Sequence, residues 1–139
     1  DTNYELNTIY DFMIMEGGFL KVMSNDSNTR TLELNNGIWI KSGATLQIEE
    51  TAIFDTGDGT PNTVTQEDMT SVIFLNGGTF KAGQNVTLQT GSLWVDKESS
   101  LDATGFTITL ASSLNIVVDP AATLKVIGGT VDYQHVGEA

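Results

Sequence analysis

The sequence of 139 residues contains no cysteine, one histidine and one arginine, and each scarcity closes off a kind of chemistry. Without cysteine there can be no disulfide and no thiolate metal site. His135 lies close to the C-terminal end and Arg30 in a polar loop. Neither belongs to a G-x-S-x-G nucleophile pattern, and no glycine-rich phosphate motif is present. No apolar run approaches the ~20 residues of a membrane-spanning helix. Positive charge is also scarce. Six Lys and Arg stand against 18 Asp and Glu, a formal net charge of −12, so nucleic acid and anionic membrane surfaces are repelled at long range. Cations, neutral glycans and other proteins remain as partners. Helical spacing of apolar residues is missing too, in a chain rich in Ser, Thr, Asn and Gly.

What the chain does contain is alternation. "VIFLNGGTFKAGQNVTLQTG", Val72 to Gly91, alternates apolar and polar residues and breaks at Gly and Asn. This is the pattern of short strands with one buried face. Written in rows of twenty from Phe12, the sequence places Gly17, Gly37, Gly57 and Gly77 in one column and Lys21, Lys41 and Lys81 in another. "NGIWIKSGATLQI" and "NGGTFKAGQNVTL" match almost position by position. A glycine recurring in register predicts stacked coils, each turning a corner that needs positive φ. The expected fold is therefore all-β, a parallel β-solenoid of about six coils with a roughly 20-residue period. An antiparallel β-sandwich is the alternative, because "NNG" at 35–37 and "NGG" at 76–78 also suit hairpins.

Residues 12–133 form the expected solenoid domain, with irregularities at 23–31 and 55–71. Residues 1–11 are read as a cap or a strand exchanged with a neighbour, and 134–139 as a tail. The start at Asp1 suggests a processed mature protein or an excised fragment, and a removed signal peptide would fit an exported protein.

The repeats "NGIWIKSGATLQI", "NGGTFKAGQNVTL" and "PAATLKVIGGTV" resemble coils of right-handed parallel β-solenoids in prokaryotic exported surface proteins: adhesin and autotransporter passengers, sheath and envelope proteins. The resemblance covers roughly 12–133. It implies an extracellular or cell-surface structural or adhesive role and brings no catalytic residues with it.

Enzymes that act on polysaccharides also use parallel β-helices, and their chemistry needs a groove of carboxylates, often with Arg, Lys or Ca²⁺. No such constellation stands out, and the expectation is a non-enzyme without catalytic residues. The one candidate ion site lies in "DTGDGTPN" and its surroundings: Asp55, Asp58, Glu67 and Asp68, with Glu49 and Glu50 close by, would supply oxygen ligands and glycine turns to Ca²⁺. A solvated Asp-Gly turn is the alternative. Trp39 and Trp94, with Phe19 and Phe80, are candidates for glycan or partner contact, but alternation lets either face of the Trp39 strand be inside, and a place in the core or at a subunit contact is favoured over a glycan platform. Asn25 and Asn85 open two N-x-[ST] sequons and are candidate glycosylation sites. No cofactor is expected other than Ca²⁺. The expected partners are copies of the chain or other envelope proteins, with glycans as the rival ligand.

Overall fold

The computed structural model describes residues 4–6 (backbone only), 12–59 and 64–134. Every strand ladder in it is parallel, and no helix occurs among these residues. The chain winds through three faces in a fixed order. The first is a six-stranded sheet of β1 (Tyr4–Leu6), β4 (Arg30–Leu34), β7 (Ala52–Asp55), β10 (Thr79–Lys81), β13 (Glu98–Asp102) and β16 (Thr123–Ile127). The second carries β2 (Phe12–Ile14), β5 (Ile38–Ile40) and β8 (Val64–Gln66), followed by β11 (Val86–Leu88), β14 (Thr107–Leu110) and β17 (Thr130–Tyr133). The third is a five-stranded sheet of β3 (Phe19–Val22), β6 (Thr45–Glu49), β9 (Val72–Asn76), β12 (Ser92–Asp96) and β15 (Asn115–Val118). The result is a parallel β-solenoid of about five turns, one fewer than the rows of twenty suggest.

Alternation sets the interior. Ile38 and Ile40 point inward and Trp39 outward; Leu46 and Ile48 are buried on either side of Gln47. Successive coils place the same inward positions over one another, so Phe54 lies 5.7 Å from Phe80 between ring centroids in the register partner one strand up. Both rings are fully buried. The second face is interrupted. β8 and β11 are adjacent but share no ladder, and there the buried Gln66 donates from Nε2 to the carbonyls of Ser71 (2.8 Å) and Ser92 (3.1 Å), bridging successive coils.

The twenty-residue period itself is corrected by the register. Trp94 pairs with Phe74, a true twenty-residue step, but Thr45 pairs with Val72 and Leu32 with Tyr4. Coil length varies chiefly because the corners differ in length, the strands keeping to three to five residues. The glycine column accordingly does not stack. Gly17 follows β2, Gly37 and Gly57 follow first-face strands, and Gly77 follows β9. Likewise Lys21 lies in β3, Lys41 after β5 and Lys81 in β10, so no lysine column forms.

The corners that do stack have irregular spacing. Leaving the first face, Asn35, Gly57 and Gly83 lie over one another: a Cβ on Gly57 would stand 2.0 Å from Asn35 Oδ1, and one on Gly83 2.4 Å from the Gly57 carbonyl oxygen. Leaving the third face, the left-handed conformation recurs at Thr51, Gly77 and Lys97. Only one of these is glycine, and the column was invisible for that reason. The segment 55–71, read from sequence as an insertion, includes the regular strand β8. Residues 24–29, between β3 and β4, are a loop organised around Asp26, which accepts from Asn28 N (3.0 Å), Ser24 Oγ (2.9 Å) and Arg30 (2.7 Å). Those bonds, the backbone one first, hold its carboxyl well below the usual carboxylate range.

Candidate functional site

The acids proposed for calcium fall on two different corners. Asp55 ends β7 and is buried; its carboxylate accepts from Gly57 N (2.8 Å) and faces Lys81 at 3.8 Å. Asp58 is exposed in the same corner, its own N–H donating to Asn35 Oδ1 at 3.3 Å. Glu67 and Asp68 lie beyond β8 at the next corner. Glu67 accepts from Ser42 N (2.8 Å) and from Lys41 Nζ (3.4 Å), while Asp68 accepts from Thr70 Oγ1 (2.6 Å) and Thr70 N (2.9 Å). These two bonds, the side-chain one first, lower the Asp68 pKa. Among the described residues no three acidic or histidine side chains converge on a point that could hold a metal ion. Glu49 and Glu50 are elsewhere again: Glu50 pairs with Lys97 at 3.6 Å, and Glu49 accepts from Asn76 and Gln47. Partial burial would raise the Glu49 pKa, but those amides, helped by Lys21 and Lys97, hold it low.

The pairing does bring together a set of charges that sequence distance concealed. Glu33, Asp55, Lys81 and Asp102 are successive register partners on the first face. With Gly57 and Phe106 they line a groove of about 430 Å³. Asp102 is occupied with its own turn, accepting from Thr104 N (3.0 Å) and Thr104 Oγ1 (2.7 Å). Chemically this column is a row of carboxylates, two of which, Asp55 and Asp102, close corners, with Lys81 between those two.

The two tryptophans sit on different faces. Trp39 is half-buried on the second face, with the Lys41 ammonium 4.4 Å from its ring centre, a cation–π contact that covers it. Trp94 is 44% exposed on the third face. Its neighbour there is Phe74, ring centroids 6.1 Å apart and close to perpendicular. Phe19 is exposed on β3, away from this pair, and Phe80 is in the core. Trp94 and Phe74 open onto a groove of about 290 Å³ completed by Val117, Asp96, Asp119 and Pro120. Phe74, Asp96 and Asp119 had no mark in the sequence. The twenty-residue step from Phe74 to Trp94 was the available signal, since both fall in the same column of the rows.

Asn25 is exposed in the 24–29 loop. Asn85, also exposed, closes a corner by accepting from Thr107 N at 2.9 Å. His135 lies outside the described residues. Comparison with family models, curated proteins and solved structures yields no match for this chain.

Proposed function

We propose that the chain is a non-enzymatic structural module that assembles end to end, a building block of an extracellular sheath, surface layer, fibre or adhesin. One observation supports this reading: among the described residues the last coil has no strand stacked on its outer side, and its inward positions are open. Val118, Val126 and Tyr133 occupy the inward positions above Val95, Leu101 and Leu110. They are 43%, 53% and 58% exposed, whereas the residues beneath them are 4% or less. The outer edges of β15, β16 and β17 add three rows of backbone donors and acceptors, the feature that templates strand addition. The opposite end offers the edges of the same three faces, β1, β2 and β3, in the same parallel sense. Such a head-to-tail contact does not close on itself and builds a filament. The export and surface location follow from the resemblance of the coils to exported solenoids.

The test is light scattering and negative-stain electron microscopy of the full chain across salt concentration, with and without millimolar Ca²⁺. Rods with an axial rise of ~24 Å per subunit are expected, at ~4.8 Å for each of five coils. Screening or bridging of the −12 charge should favour them. Val126→Asp should return the chain to monomer. A monodisperse monomer under every condition would sink the proposal.

A second reading, carbohydrate binding, is favoured by the exposed Trp94 beside Phe74 on the third face.

A further inference from the structure

We infer that the third face carries a binding site for a neutral polysaccharide, laid along the solenoid axis over Phe74, Trp94 and Val117. The inference rests on the carbohydrate reading and is independent of end-to-end assembly.

The stripe is made by the register. Phe74, Trp94 and Val117 are successive partners in β9, β12 and β15, all facing outward, so they form an apolar line ~10 Å long at ~4.8 Å per strand. It is one residue wide. Two positions further along each strand, ~7 Å to one side, come Asn76, Asp96 and Asp119. Two positions back, on the other side, Asn115 is exposed and its amide reaches the Ser92 hydroxyl at 3.4 Å. In β12 and β15 polar, apolar and polar groups thus succeed one another across the face, while in β9 the position before Phe74 on that side is the buried Val72.

That cross-section selects the occupant. A protein partner needs about 800 Å² on each side for a stable interface, and three side chains supply only a few hundred. A polyanion, including an acidic glycan, meets two carboxylates and a net charge of −12. A neutral chain of β-linked pyranoses has the matching pattern. Its ring faces are apolar C–H surfaces suited to aromatic stacking, and its two edges carry hydroxyls that donate to carboxylates and amides. The acceptors are already oriented: Asp96 Oδ1 is held by Lys97 N at 2.8 Å and Asp119 Oδ1 by Ala121 N at 2.9 Å, which leaves each Oδ2 outside its turn. The perpendicular packing of Phe74 against Trp94 likewise restrains the indole before any ligand arrives.

The test uses the full chain carrying Val126→Asp, so that filament formation does not intervene, and Trp39→Phe, so that Trp94 is the only tryptophan reporter. Cellohexaose, chitohexaose and mannohexaose are titrated against its fluorescence and by calorimetry, with polygalacturonate and spermine as charged probes. At least one neutral hexaose should bind and shift the emission, and Trp94→Ala should weaken binding roughly tenfold or more by calorimetry. Asp96→Asn, which retains an acceptor and the shape, should cost less than Asp96→Ala. Circular dichroism melts check that each variant is folded, and Phe74→Leu tests the stripe without emptying it. Binding that survives Trp94→Ala would overturn this site while leaving a carbohydrate function elsewhere on the chain. Failure of every neutral probe, or preference for spermine or polygalacturonate, would overturn both.

Discussion

The coil built from β12, β13 and β14 and the coil above it, β15 to β17, follow the same alternation with opposite results. Leu93, Leu101 and Ile108 are fully buried; of their partners at the same inward positions, Val126 is 53% exposed and Ile116 and Val131 are half-buried against the core. The strands are equally regular in both, so strand formation does not depend on burial from both sides. Among the described residues, what the last coil lacks is a neighbour on its outer side. In a solenoid each coil contributes apolar area to two interfaces, and an end coil completes only one.

The sharpest way to break this comparison is to truncate the same inward column in both coils. Leu101→Ala empties a fully buried position and should destabilise the monomer by about 2–5 kcal/mol in urea denaturation. Val126→Ala, one strand up, should cost the monomer under about 1 kcal/mol while weakening assembly. Equal costs in the monomer would mean that the terminal coil is covered in the free chain.

Next in size is the corner column. Gly57 has φ +71° and no room for a Cβ beside Asn35, so Gly57→Ala should lose about 1–3 kcal/mol through backbone strain and displacement of the corner below. Gly17, in the same column of the sequence rows, also has φ +71° but nothing within 4 Å of a Cβ. Gly17→Ala should therefore be the milder of the two in thermal melts. A larger loss at Gly17 would show that stacking of the first-face corners is not what constrains Gly57.

The smallest effect comes from acid. Asp26, Asp68 and Glu49 have lowered pKa values in the folded chain, so each favours folding fully above the ordinary carboxylate pKa of about 4. That contribution is lost as pH falls through the lowered folded values. The melting temperature should stay level from neutral pH down to about 5 and decline below about 4. Asp68→Asn should make the decline shallower. A decline already present between pH 7 and 5 would point to groups other than these three.

Much of the fold could be read in the residues. "IWI" and "TLQIE" declare which side chains face inward, because strand periodicity is local and the buried face must be apolar. The repeat correctly signalled stacked parallel coils over hairpins. It misplaced the phase, since all three corners of a coil have the same local grammar of polar residue, glycine and apolar restart. Thus "NGIWIKSGATLQI" runs from the second face to the third, and "NGGTFKAGQNVTL" from the first to the second. The twin motifs mark two different corners. The candidate site suffered from the same ambiguity: the sequence marked Trp94 as a candidate contact without deciding whether it lay inside or out, and Asp119 joins it only through the pairing of β12 with β15.

Composition and periodicity by themselves determined that this protein is all-β, that its strands are short and one-sided, and that its coils stack in parallel, because each of these depends on neighbours a few residues apart. Only the tertiary structure decided which residues share a rung, which glycines meet, and that aromatic and carboxylate columns run side by side on the third face. Those relations depend on the length of every corner, which varies from coil to coil and leaves no trace in the local alternation of the strands.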